Sequence, residues 1–330
     1  MDQSRVTAVH PRRAVEGGRI AILGADFPVD RPGLPEVTIG DRPARIVFAS
    51  PTRLDVIVPP LGSIAASVRV EGAASEAGVL EVAGPFTANL HQVDNPVVDR
   101  DGNLYVTYSG RRGQHVPVSV FRVRPDGLRE PFTTGIVNPT SMALGPDNHL
   151  YVSSRFEGTV YRMGMDGSPK AFATELGIAC GLAFDREGNL FVGDRSGTIF
   201  KVGRTGHTET FATLPPSVAA FHLAFAPDGV LHVSGPTLGS YDLIYRITPA
   251  GAVSTLDARF GRPQGLAFDS TGALLVVEAL AGMSGVYRIP PKGEREVIVA
   301  GDALIGVALD QRGGLVVCSG ERAYRFAYQA

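Results

Sequence analysis

CGLAFDREGNLFV, from Cys180 to Val192, is the stretch whose reading decides the fold. GLAFD is a short apolar strand, and Arg186, Glu187 and Gly188 make a hairpin turn in which glycine can take a positive φ. NLFVGD then runs back as a second strand. Ser196-Gly197 turns into TIFKV, where apolar and polar residues alternate, and Thr205-Gly206 turns again into ETFAT. Four short antiparallel strands follow one another within about forty residues. The first two are almost wholly apolar, as strands covered on both faces are, and the outer two alternate, as wetter strands do.

The same phrase occurs six times. It reads NPVVDRDGNLYV from Asn95, NPTSMALGPDNHLYV from Asn138, FHLAFAPDGVLHV from Phe221, PQGLAFDSTGALLVV from Pro263 and IGVALDQRGGLVV from Ile305. The first leucine after each turn marks the phase: Leu104, Leu150, Leu190, Leu231, Leu274 and Leu315, separated by 46, 40, 41, 43 and 41 residues. A period in the forties with four strands per unit is that of a β-propeller blade. The last unit ends after RAYRFAY without a fourth strand. A phrase of the fourth-strand type, PFTA at Pro85–Ala88, stands unused before the first unit. Pairing the two closes the ring and removes an exposed sheet edge. The expectation is a six-bladed propeller over residues 85–330.

Residues 6–84 read differently. Short alternating strands with Pro, Gly and Asp turns predict a small β-sandwich. Pro11, Gly17-Gly18, Ile20, Ile22, Gly24, Phe27, Val37, Ile39-Gly40, Ala44, Ser50-Pro51-Thr52, Leu54, Val56 and Pro59-Pro60 spell a pattern that resembles the IPT/TIG immunoglobulin-like family. That resemblance covers nearly the whole segment and implies a spacer or interaction module. The whole chain is therefore expected to be all-β.

Composition narrows the function classes. The net charge is −2, and the basic residues are 28 Arg and three Lys, dispersed over turns and strand ends. No basic stripe with interleaved aromatics points to nucleic acid. No run is long and apolar enough to span a membrane. MDQSRVTAVHP shows no apolar signal segment, so the expected compartment is cytoplasmic. Cys180 and Cys318 lie in different repeats and read as two buried thiols. GxSxG, HExxH, CxxC and P-loop motifs do not occur. The DRDG, DREG and PDG turns recur at the same hairpin of the repeats, as structural turns do.

PxGLAFDxxGNLYV followed by GxIxRI resembles NHL repeats and the six-bladed gluconolactonase and regucalcin family. The first resemblance implies a binding scaffold. The second implies a lactone or ester hydrolase with one divalent cation, calcium or zinc, in its central channel. Its ligands would be a Glu before the first blade, an Asn before Gly and an Asp before Gly. Here the Glu place falls on Asp94, and the Asn place corresponds to Gln264 or Cys180. The Asp place has no match, because His222 is followed by Leu. The metal set is thus one-third retained.

Other polar groups share that end of the ring. Loops entering the first strands carry Asn95, Asn138, Cys180, His222 and Gln264. Loops leaving the second strands carry Arg155, Glu157, Asp194, Arg195, Asp242, Glu278 and Glu321. Two readings follow. In one, the face recognises a small molecule, glycan or protein segment, with Asn138, Arg155 and Gln264 as binding residues. In the other, Asp94, Asp194 and Glu278 hold a cation and His222 moves protons. The plainer reading of each acid is a pair with Arg155, Arg195 or backbone amides. His222 equally reads as a packed, hydrogen-bonded channel residue.

Overall fold

Val37 and Ile39 are buried and Thr38 between them is not; Val68 and Val70 are buried and Arg69 is exposed. This period of two makes one-faced sheets. The computed structural model describes residues 4–30, 33–75, 79–280, 282 and 284–329, and these are all-β, with 35 strands. The chain divides into two compact units. The first holds residues 1–85, 279–288 and 295–304; the second holds 86–278, 289–294 and 305–330.

In the first unit one sheet runs in the order Ala74–Ser75, Arg5–His10, Arg19–Ala25, Arg53–Ile57, Arg45–Ser50. Val6, Ile20, Ile22, Leu54 and Val56 point from it into one core. They meet Val37, Ile39, Val68 and Val70 of a three-stranded sheet, and Leu80 and Val82 of the Leu80–Ala83 strand. Two sheets packed over a shared apolar layer make a sandwich. Arg13–Val15 pairs parallel with Leu80–Ala83 and, at Ala14, with Ala300. Asp55 is 2% exposed and accepts from Arg19 Nη2 at 2.6 Å and Arg53 Nε at 2.7 Å.

The second unit carries the repeats. Sheet I is Val97–Val98, Leu104–Thr107, Val120–Val123 and Arg129–Thr133; sheet II is Pro139–Leu144, Leu150–Ser154, Thr159–Met163 and Pro169–Ala173. Sheet III is Ala179–Phe184, Leu190–Asp194, Thr198–Val202 and Thr208–Thr213; sheet IV is His222–Phe225, Leu231–Ser234, Asp242–Ile247 and Val253–Phe260. The fifth repeat places Pro263–Phe268 and Leu274–Glu278 in this unit. Its outer strands, Gly285–Ile289 and Glu296–Ala300, fall largely in the first. Sheet VI is Leu304–Leu309, Gly314–Ser319, Arg322–Ala327 and, from the far end of the sequence, Thr87–Ala88. Thr87 pairs with Ala323 and Ala88 with Arg322, so the N-terminal phrase completes the last sheet as expected.

On the inner strands of sheet III and of the fifth repeat, Leu182, Leu190, Val192, Leu266, Leu274 and Val276 are buried. Phe184 and Phe268 are only half-buried. Each ends its strand next to the hairpin turn, where the neighbouring sheet covers one side of the ring. Phe184 meets Tyr151 edge-on at 4.9 Å and Phe268 meets His232 at 5.0 Å. The acidic turns are structural: Asp185 Oδ1 accepts the Asn189 N–H at 2.7 Å, and Gly188 follows with φ +83°.

Candidate functional site

Register decides what reaches the centre. Leu182 pairs with Val192, Leu223 with Val233 and Leu266 with Val276. Counting back from these leucines, His222 stands level with Gly181 and Gly265, one place beyond Cys180 and Gln264. The sequence reading put His222 in line with those two residues. Gly181 pairs with Gly193 and His222 with Ser234, each in step with the leucine that follows, so the correspondence is set by the leucines and not by the strand starts. His222 thereby occupies a place where sheets III and VI and the fifth repeat carry glycine: Gly181, Gly306 and Gly265. Those glycines are required by close approach. A Cβ on Gly265 would lie 2.2 Å from Asn95 Oδ1, and one on Gly306 would lie 2.7 Å from the Asp94 carbonyl oxygen.

The axis is filled by polar groups that satisfy one another. His222 is 0% exposed and Asp94 2%. His222 Nδ1 bonds Asp94 Oδ1, and Nε2 faces Gln264 Oε1 at 3.0 Å, joining sheets I, IV and V. Asp94 Oδ1 also accepts the Asn95 N–H at 2.7 Å. Asn95 donates to the Leu266 carbonyl at 2.8 Å and accepts the Val307 N–H at 2.9 Å, tying sheets V and VI to the start of sheet I. Gln92 donates to the Asp94 carbonyl at 2.7 Å and accepts the Thr107 N–H at 2.7 Å. Ser234 Oγ donates to the Gln264 carbonyl at 2.6 Å. Buried polar groups paired this fully define a rigid connection. His222 and Gln264 belong to it and are withdrawn from solvent.

The remaining predicted residues brace loops. Asp194 Oδ1 accepts the Ile178 N–H at 2.8 Å, and its Oδ2 accepts from Ser196 Oγ. Glu278 accepts the N–H groups of Gly261 at 2.6 Å and Arg262 at 2.7 Å. Asp242 does the same for Thr237 at 2.9 Å. Asn138, 0% exposed, donates to the Ser109 and Arg111 carbonyls at 2.6 and 2.8 Å and accepts the Gly113 N–H at 2.7 Å. Asp94, Asp194 and Glu278 are therefore turned toward three different partners and do not converge. Among the described residues no group of three or more His, Cys, Asp or Glu side chains is placed to hold a metal ion. This donor set does not fit the cation that the resemblance implies.

Arg155 is different. It is half-buried, and its backbone N–H bonds the Asn138 carbonyl at 3.3 Å, so it rises from the same junction that holds the Arg111–Gly113 loop. Arg195 occupies the equivalent place in sheet III, its N–H bonding the Ile178 carbonyl at 3.3 Å. No carboxylate lies within ion-pair distance of Arg155, Arg195 or Arg112 among the described residues. Burial lowers the Arg155 pKa, and the charges of Arg195 and Arg112 lower it further, while Cys180 opposes this. His91 is also lowered, by desolvation and then by Arg155. Burial pushes the Cys180 thiol up to about 12, although Arg155 and Arg195 pull it back. Cys180 and Cys318 are buried and free.

Arg112 escaped the sequence reading, yet a signal was present. The first repeat is the longest, 46 residues to the next leucine, and the excess lies in the loop that carries YSGRRGQHVP. At the opposite, hairpin end of the repeats lie two grooves of about 620 Å³ each, one lined by Phe184, Phe211, Phe225 and Phe268 and the other by Phe268, His232 and Arg246, both with turn residues.

The fold matches solved structures. A putative gluconolactonase superposes over 73% of this chain and 90% of its own, with a TM-score of 0.60 at 16% identity. An auxiliary nutrient binding protein from Bacteroides ovatus matches over 100% of this chain and 99% of its own, with a TM-score of 0.57 at 14% identity. Virginiamycin B lyase from Staphylococcus aureus matches over 73% and 85%, with a TM-score of 0.51 at 14% identity. The chain is an all-β sandwich-and-propeller protein. At these identities the likeness concerns fold alone. No protein-family model matches the sequence, and no curated protein does. Among the described residues no helix is long and apolar enough to cross a membrane.

Proposed function

We propose that this protein is a recognition propeller that binds a small molecule or glycan at the channel-side end of its repeats, with an IPT/TIG-like sandwich over residues 6–84 as an accessory module. The observation that carries this reading is the contrast within one face. Every acid expected to do chemistry is engaged in holding a loop or His222. Arg155 and its neighbours stand without a carboxylate partner. Pockets that bind need convergent polar groups not already consumed by the fold. A nutrient binding protein matching over the whole chain is consistent with small-molecule binding.

The competing reading is a metal-dependent lactone or ester hydrolase with altered channel ligands. Its support is the buried Asp94–His222 pair, a geometry in which a carboxylate orients an imidazole. Its weakness is that both ring nitrogens are engaged and the ring is fully buried. Elemental analysis for calcium, zinc and manganese, with a screen of lactones and aryl esters with and without chelator, separates the two. Recognition predicts ligand-dependent stabilisation without turnover. Stoichiometric metal with chelator-sensitive turnover would establish the hydrolase instead.

A further inference from the structure

We propose that the channel-side mouth is a site for small organic acids. Arg112, Arg155 and Arg195 hold the carboxylate or phosphate group, and Phe156 and Ile178 receive the apolar body. This rests on the recognition reading and names the ligand class for that same face.

The placement carries the argument. Arg155 and Arg195 each follow the second strand of adjacent sheets, and each backbone N–H is held by a carbonyl of the loop entering that sheet, at 3.3 Å in both cases. Arg112 is brought to the same junction by Asn138, which bonds the residues on either side of it, Arg111 and Gly113. Asn138 has φ +49°, a conformation asparagine tolerates better than most residues and one that lets a single side chain reach both groups. The backbones carrying these three arginines are thus held at one end of sheets I, II and III by backbone and buried side-chain bonds, and none of the three pairs with an acid among the described residues. The nearest carboxylate in sequence, Asp194, is occupied by Ile178 and Ser196. Gathering like charges costs free energy, because each cation disfavours its neighbour. An oxyanion placed among them removes that cost, and the planar guanidinium fork matches carboxylate and phosphate in a bidentate manner.

Apolar surface lies beside the cations. Phe156 is 54% exposed and Ile178 39% exposed, and each is a near neighbour of one of the arginines, in sequence or through a backbone bond. The Phe156 ring lies against Gly113, where an added Cβ would sit 3.2 Å from it, so the ring is held beside the Arg112 loop. A bare inorganic anion leaves that surface wet, whereas an acid with an aromatic or aliphatic body covers it.

The test uses the full chain and four probes of defined chemistry: phenyl phosphate, benzoate, inorganic phosphate and neutral benzyl alcohol, titrated calorimetrically at one ionic strength. Saturable binding of phenyl phosphate or benzoate, tighter than inorganic phosphate and with no binding of benzyl alcohol, is expected. In Arg155→Gln/Arg195→Gln the dissociation constant should rise at least about tenfold, as for the loss of a charge-assisted hydrogen bond. Circular dichroism confirms that the variant is folded. Equal affinity in both proteins, or no saturable binding of either organic acid, overturns the proposal. Binding of neutral sugars such as glucose in a parallel screen, without acid binding, overturns it while leaving the recognition reading intact. Failure of acids and sugars alike counts against both.

Discussion

The axis and the mouth of the repeats lie a few residues apart along the same strands, and they treat polar groups in opposite ways. At the axis, Asp94, His222, Gln264, Asn95 and Gln92 form a buried network in which His222 stands between two acceptor oxygens, those of Asp94 and Gln264. At the mouth, Arg155 has no carboxylate within ion-pair distance among the described residues, and its pKa is lowered by burial and further by the charges of Arg195 and Arg112. The difference follows from solvation. A group with no access to water must find its partner in the fold, because an unpaired buried donor or charge costs several kcal/mol. A half-buried guanidinium keeps part of its hydration and can remain unpaired at modest cost. Polar residues at the centre of this ring are thus structural because they are central, whereas Arg155 and Arg195, which follow the second strands, stand without an acid partner among the described residues.

Substitutions at the two places should separate cleanly. The largest effect is expected at the axis. Asp94→Ala leaves His222 buried without its carboxylate and should cost about 3–5 kcal/mol of stability, read from urea unfolding. A loss under about 1 kcal/mol would show that the pair is not a structural connection. Gly265→Ala should come next. The added methyl meets Asn95 Oδ1 at 2.2 Å and Gly306 Cα at 2.8 Å, contacts that backbone must move to relieve. A cost of about 1–3 kcal/mol is expected for such overpacking, and a neutral result would mean that the strands at the axis are not held as tightly as the hydrogen bonds imply. Phe184→Ala, at the hairpin end, should cost about 1–2 kcal/mol, below the loss of about 3–5 kcal/mol for a fully packed phenylalanine, because the ring is half-buried.

The smallest effect is a pH dependence. His232 is buried and its pKa is lowered, first by desolvation and then by Arg246, against a raising bond to the Val230 carbonyl. A lowered folded-state pKa means that the unfolded chain takes up the proton first. Stability from this group is therefore complete above the ordinary value of 6.5 and is lost as pH falls below it. His91 has the same sign. Thermal midpoints measured from pH 8 to pH 5 should fall on the acid side, and less so in His232→Gln. An unchanged slope in that variant would remove His232 as the cause.

The repeats were legible in the sequence because covered strands need runs of apolar residues and the turns between them need glycine. The pairing of Thr87–Ala88 with the last strand was legible from a phrase left over at one end and missing at the other. The sandwich followed from alternation over Val37–Ile39 and Val68–Val70. The site was legible only in part. Asn138, Asp194, His222 and Glu278 stand at or beside the ends of inner strands, and their roles depended on which groups the loops would present to them. Aligning FHLAF with CGLAF on the shared LAF puts His222 level with Gly181, a match hidden when the strand starts are compared instead. Arg112 was hidden in a loop whose path is set by Asn138, 26 residues later in the chain.

The division of labour between axis and mouth is tested most directly by comparing Arg155→Gln with Gln264→Met in one titration against phenyl phosphate, both variants being confirmed folded. The account predicts that Arg155→Gln weakens binding at least about tenfold, whereas Gln264→Met, although less stable, binds within about twofold of the parent protein, equivalent to less than about 0.5 kcal/mol. Binding abolished by Gln264→Met and untouched by Arg155→Gln would place the ligand at the axis and contradict it.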